Sequence, residues 1–215
     1  MSVGAGEIVA LIGPNGSGKS SFSLALLGHP DYRIDAGHIW LDGEMIESLP
    51  PEERSARGLF LAMQKIPEIP GIRIGEYLRT LANARAKRGD PQTKPISPFV
   101  FARYVRPFMQ RIGIPESFLD RDLNVGFSGG ERRRMELLQA FVLEPSVLVF
   151  DETDSGLDMA AVANFATVLP ELATRGAAVL VITHNQSLLE SVPFVRTYEL
   201  AVGRVVRSCP GSLLT

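Results

Sequence analysis

The residues best equipped for chemistry in this chain are Gly13-Pro14-Asn15-Gly16-Ser17-Gly18-Lys19-Ser20, which fit the pattern G-x-x-x-x-G-K-[ST]. Glycines let a main chain curl around an anion with no Cβ in the way, and Lys19 is long enough to reach outer phosphates. The hydroxyl of Ser20 can ligate Mg²⁺, and Ser21 beside it belongs with the residues that bind the nucleotide. A second acidic pair, Asp151-Glu152, closes the apolar run Val147-Leu148-Val149-Phe150. Asp151 suits Mg²⁺, held through water, and Glu152 suits a general base that polarises an attacking water. Taken alone, two acids at a strand end can equally cap the next turn; behind a phosphate loop, the metal and water roles are favoured. A further glycine-rich stretch, Phe127-Ser128-Gly129-Gly130-Glu131, has a serine with an acid three residues on, the pattern of a helix capping box.

The elements around these residues have the order such chemistry needs. Glu7-Ile8-Val9-Ala10-Leu11-Ile12 reads as a buried strand entering the loop, and residues 21–27 as a helix leaving it. The helix N-terminus then offers free N–H groups and a favourable dipole to a phosphate. Residues 147–150 read as a buried parallel strand with its acids at the C-terminal edge, where open α/β sheets bind ligands. Between these parts, Asp42-Gly43 predicts a hairpin flanked by 37–41 and 44–46, Pro50 to Arg54 a short helix, and 59–63 a core strand. Helices are predicted over 75–88 and 99–112, divided by a proline-rich loop, and this stretch reads as an inserted helical lobe over about 71–126. The core lobe, 1–70 and 127–215, resumes with strands at 147–150, 178–182, 197–201 and 204–207 and a helix over 159–173. Strand alternating with helix predicts a single α/β domain with a mostly parallel core sheet flanked by helices.

Composition agrees with a soluble globular domain: 215 residues, 45% hydrophobic, 21% charged, formal net charge −2. That balance gives no bulk electrostatic reason for a nucleic-acid partner or an anionic membrane surface. The one cysteine, Cys209, excludes an intrachain disulfide and a cysteine-built metal site within one subunit, and suits a reducing cytoplasm. No apolar run approaches the ~20 residues that span a bilayer, and the N-terminus lacks a signal-peptide pattern.

The order of motifs resembles the ATPase subunits of the ATP-binding-cassette (ABC) superfamily over nearly the whole chain. The motifs are the phosphate loop, Gln64 after a strand, Ser128-Gly129-Gly130-Glu131 opening a helix, Asp151-Glu152, Ser155-Gly156-Leu157-Asp158, and His184 after the last core strand. The resemblance implies ATP and Mg²⁺ as ligands, ATP hydrolysis as activity, and a P-loop NTPase fold with a reduced antiparallel β edge. It makes Gln64 a hinge that senses Mg²⁺, and Ser128, Gly129 and Gly130 a cap on the γ-phosphate of ATP bound to an opposite subunit. His184 would hold the attacking water against the γ-phosphate. Asp158 would contact the partner's phosphate loop, although an Asp there can equally cap a helix starting near Met159. The two glycine-rich stretches then form half-sites of a transient, ATP-dependent homodimer, monomeric at rest.

Within the superfamily, residues 28–32, 63–71, 124–131 and 151–158 resemble the SufC group, the soluble ATPases of iron–sulfur cluster assembly. That implies SufB and SufD scaffold proteins as partners, docking near 64–71, with iron and sulfide held by those partners. Two other readings are an ATPase serving a separate membrane permease and a nucleotide-binding scaffold without turnover. Members of the group usually begin well before the phosphate-loop strand, where this sequence starts, so a shortened antiparallel edge and the loss of the loop that stacks on adenine are expected. Trp40 and Phe60 are expected to be exposed in consequence. The C-terminus also stops short of the group's usual end.

Overall fold

The computed structural model describes residues 1–63, 66–155 and 157–212. Two compact units divide the chain, Met1–Gln64 with Pro145–Thr215, and Lys65–Glu144. The first opens with β1 (Ile8–Ile12), α1 (Lys19–Leu27), β2 (Trp40–Leu41), β3 (Glu44–Met45), α2 (Pro51–Ala56) and β4 (Leu59–Ala62). The second contains β5 (Ile69–Arg73), α3 (Ile74–Gly89), α4 (Pro98–Ile112), a 3₁₀ turn (Glu116–Asp120), β6 (Asp122–Leu123) and α5 (Gly129–Leu143). The first then resumes with β7 (Val147–Asp151), α6 (Met159–Thr174), β8 (Ala178–Ile182), α7 (Gln186–Ser191), β9 (Arg196–Ala201) and β10 (Arg204–Pro210).

A six-stranded sheet, in the order β10-β9-β1-β8-β7-β4, carries the first unit. All neighbours pair in parallel except β9 and β10, which form the antiparallel edge. Strand residues alternate between faces. Val9, Leu11, Leu59, Val149, Leu180, Ile182, Tyr198 and Leu200 turn to one side, where Leu41 and Ile46 of the hairpin region join them and Phe22 and Leu26 of α1 pack against them. Ile8, Ala10, Leu148, Phe150, Val179 and Val181 occupy the alternate positions and are also buried. There Phe165 of α6 meets Phe150 edge-on, with ring centroids 5.2 Å apart. Each buried Val, Leu, Ile or Phe among them contributes about 1.5–3 kcal/mol by leaving water, so burial on both faces explains the near-continuous apolar runs.

The β2–β3 hairpin turns on Asp42 and Gly43, both at positive φ (49° and 84°), the mirror-image turn that matches strand twist. Trp40 is 62% exposed, as expected, but Phe60 is half-buried rather than exposed because β4 pairs with β7. Arg54 of α2 anchors the end of α1. Its buried guanidinium donates to Ala25 O and Leu26 O (2.8 and 2.7 Å), and to Leu49 O and Glu47 O (2.8 and 2.7 Å). The carbonyls that a helix C-terminus leaves unpaired are thereby satisfied.

In the second unit α3, α4 and α5 bury Ile74, Leu78, Phe101, Val105, Met109, Met135, Leu138 and Phe141. Phe108 stacks on Phe141 at 5.2 Å. The unit is wider than the lobe expected over 71–126, since α5 buries its apolar face here. Sequence reading also missed the antiparallel pair β5–β6, where Ile69 faces Leu123 and Gly71 N donates to Asp122 Oδ2 at 2.9 Å.

Candidate functional site

β1 delivers the chain to Gly13, whose φ of +154° and proximity to β9 exclude a side chain. A Cβ there would lie 2.2 Å from the Leu200 carbonyl oxygen. The loop closes through Ser17 N to Pro14 O (3.2 Å) and is tied to the β9–β10 turn by Gly203 N to Ser17 O (2.9 Å). Gly18, in the left-handed region, starts α1 with no side-chain cap, so the first N–H groups of the helix face the loop without a competing side-chain acceptor.

Lys19 is only 4% exposed. Its ammonium donates to Gly13 O (2.9 Å) and Pro14 O (3.2 Å) and lies 3.6 Å from Glu152 Oε1. Asn15, Gly16, Gly18, Lys19, Ser20, Ser21 and Glu152 line one open cavity of about 330 Å³. A phosphate fits this donor set: a buried amine and helix N–H groups. Beside it in the loop, the buried Ser17 Oγ has no hydrogen-bond partner among the described residues.

Two of the metal-binding candidates, Ser20 and Asp151, are linked through a residue the sequence reading did not single out. Ser23 is buried one turn after Ser20, and its Oγ lies 3.0 Å from Ser20 O and 2.5 Å from Asp151 Oδ2. Asp151 at the end of β7 is thus held against the first turn of α1. The spacing of Ser20 and Ser23 on one helix face was the only sequence signal for this. Among the described residues no three of His, Cys, Asp and Glu come together as a metal site. A hydroxyl, one carboxylate and oxygens of nucleotide and water are the set Mg²⁺ takes.

Glu152 has a left-handed backbone, φ +50°, which for a non-glycine residue costs on the order of 1–3 kcal/mol. Its N–H donates to Ile182 O of β8 (2.9 Å), and its carbonyl accepts from Ser155 N (3.1 Å). His184 is exposed just beyond β8. It is flanked by the buried Thr183, whose Oγ1 donates to Asp154 Oδ2 at 2.6 Å, and by Asn185, which caps α7. Asp158 is exposed and caps α6, accepting from Ala161 N at 2.8 Å. Gln64 and Gly156 lie outside the described residues.

Ser128, Gly129 and Gly130 belong to the other unit. Ser128 Oγ accepts from Glu131 N (3.2 Å) and Glu131 Oε2 accepts from Ser128 N (2.7 Å), a complete capping box. The Ser128 backbone N–H, with lesser help from its side chain and from Arg121 and Arg134, holds the Glu131 carboxyl below the usual carboxylate range. Neither glycine has positive φ, and a Cβ on Gly129 would meet nothing within 4 Å. Arg121 lies over both the Phe118 and Phe127 rings (4.5 and 4.4 Å) just before this stretch.

Comparison with known proteins gives the family. Residues 1–155 match the family model described as ABC transporter. The chain is 41% identical over 212 residues to a protein of Guillardia theta named probable ATP-dependent transporter ycf16, covering 98% of this chain and 83% of that protein. It is 39% identical to the chloroplastic ABC transporter I family member 6 of Arabidopsis thaliana, covering 97% of this chain and 61% of that protein. A dimeric bacterial ABC transporter cassette has the same fold, with a TM-score of 0.80 at 20% identity over 98% of this chain and 88% of its own. With this family match over most of its length and these relatives, the chain belongs to the ABC transporter family, as an ATPase that takes ATP with Mg²⁺.

Proposed function

We propose that this chain is a SufC-type ATPase, which closes as an ATP-dependent homodimer and drives conformational change in a SufB/SufD scaffold during iron–sulfur cluster assembly. The observation that carries the hydrolytic part is the convergence of Lys19, Ser20 and Glu152 on one cavity, with Asp151 bound to the same helix turn through Ser23. In this reading the loop and Lys19 bind the phosphates, Ser20 and Asp151 hold Mg²⁺, and Gln64 senses it. When bound, Mg²⁺ neutralises charge on the phosphate oxygens. Glu152 accepts the proton of the attacking water, and His184 positions that water against the γ-phosphate.

Ser128, Gly129 and Gly130 are assigned to the γ-phosphate of the opposite subunit. Glycine costs about 0.5–1 kcal/mol against alanine in a helix interior and less in the first turn, and neither φ nor packing asks for it at 129 and 130. Close approach of an anion to bare N–H groups is a reason for that cost. Asp158 is assigned a contact with the partner's phosphate loop. The SufB/SufD part is supported by residues 28–32, 63–71, 124–131 and 151–158, which go beyond what nucleotide binding requires. It is supported too by the β5–β6 pair, through which a protein docking near 66–71 would pull on the strand leading to Ser128. The name ATP-dependent transporter on a relative favours a second reading, a cassette serving a separate permease.

A pull-down from cells expressing the tagged chain separates the two. Recovery of SufB and SufD is expected; recovery of an integral membrane permease with neither scaffold protein would overturn the assignment.

A further inference from the structure

β7 and β8 leave the sheet side by side, paired through Asp151 and Ile182, and each leads into one member of the proposed hydrolytic pair, Glu152 and His184. Just beyond both strand ends lie two buried polar side chains, Asp154 at 4% exposure and Thr183 at 0%. Thr183 Oγ1 donates to Asp154 Oδ2 at 2.6 Å and accepts from Asn185 N at 2.9 Å. A hydroxyl has one proton and two lone pairs, so the proton given to the carboxylate leaves a lone pair for the amide. Thr183 is thus fixed by partners on both sides of His184. The main chain is pinned around it: Thr183 N donates to Leu11 O (3.3 Å), Glu152 N to Ile182 O (2.9 Å), and Leu157 N to Asp154 O (3.3 Å). Burying a carboxylate to join two strand ends is an expensive way to obtain packing, since apolar side chains of like volume do that as well or better. A charge-assisted bond supplies what packing lacks, a fixed distance and direction.

We propose that Asp154 is a positioning residue for ATP hydrolysis: through Thr183 it holds the main chain on both sides of His184 in register with Glu152. The inference rests on the roles proposed above for Glu152 and His184. Displacement of a reacting group by 1 Å costs about a hundredfold in rate, so loss of this tie should act on turnover more than on nucleotide binding.

The test uses the full chain with Asp154→Asn, Asp154→Ala, Thr183→Val, Thr183→Ser and the double variant Asp154→Ala/Thr183→Val. Steady-state hydrolysis is measured with the Kd for ATP. Asp154→Ala and Thr183→Val should each lower kcat by about tenfold or more, with Kd within about threefold of the parent. Asp154→Asn should fall between, because a neutral hydrogen bond is about half as strong as a charge-assisted one. Thr183→Ser keeps the hydroxyl and should recover most of the rate. The double variant should be no slower than the slower single one, since both delete the same bond. A parent-like kcat in Asp154→Ala, a Kd that rises in step with the loss of kcat, or a Thr183→Ser as slow as Thr183→Val each overturns the proposal. Should Asp154→Ala not fold, Asp154→Asn and the Thr183 pair decide by the same criteria. Glu152→Gln and His184→Ala are run in parallel. If they lose turnover while the Asp154 variants keep it, only the positioning role falls. If they hydrolyse ATP like the parent, the roles of Glu152 and His184 fall, and this inference with them.

Discussion

Lys19 gathers more of the site than any other single residue, through two loop carbonyls and the Glu152 carboxylate. Removing it takes one cation from beside that carboxylate and from any bound phosphate. Lys19→Ala should therefore weaken ATP binding about a hundredfold or more, read by equilibrium titration with a fluorescent ATP analogue. Glu131 gives a pH prediction. Its folded pKa is depressed, so its contribution is present above the unfolded value of about 4.3 and is lost as pH falls through the lower folded value. Hydrogen exchange at the Ser128 amide should thus show less protection once pH falls below the depressed Glu131 pKa than near neutrality, and Glu131→Gln should flatten that dependence. Lys19, Ser20 and Glu131 were legible because their partners are near in sequence or set by a motif. Ser23, Asp154 and Thr183 were not, because their bonds join positions 128 and 29 residues apart.

At the scale of elements, α1 is the part on which the phosphate site is mounted, and its far end is held by one side chain. Arg54→Met keeps much of the apolar stem but abandons four carbonyls, at Glu47, Leu49, Ala25 and Leu26. Hydrogen bonds to charged groups are worth about 1.5–3 kcal/mol and buried orphans cost similar amounts, so urea unfolding should show a loss of about 2–4 kcal/mol. Nothing in residues 50–56 marked Arg54 as different from any helix arginine; only the packed structure buries it. The core strands were readable from apolar runs buried on both faces. β5–β6 escaped notice because β6 has 2 residues, too few for any periodicity. Pro107 and Pro170 lie inside α4 and α6, where local rules place helix ends, yet the apolar stripes buried on either side carry both helices through.

For the whole molecule, the proposed function predicts a change of state with ATP. Glu152→Gln removes the base but leaves Lys19 and the loop, so it should bind ATP, hydrolyse it about 10²–10⁴-fold more slowly, and accumulate as a dimer with ATP and Mg²⁺. Light scattering after size exclusion should give twice the monomer mass for this variant with ATP and the monomer mass without it. A monomer under both conditions would count against the half-site assignment of Ser128, Gly129 and Gly130. Among the described residues no helix is long and apolar enough to cross a membrane.

The sequence by itself determined the parallel α/β class, the phosphate loop, the acidic strand end and the capped glycine pair. Those depend on local conformation and on hydrophobic periodicity, which are written along the chain. Only the tertiary structure decided that Ser23 ties Asp151 to α1, that Thr183 ties Asp154 to the loop carrying His184, and that α5 packs with α3 and α4. Such contacts depend on which buried polar groups find each other once distant strands and helices pack, and no spacing rule along one chain encodes that pairing.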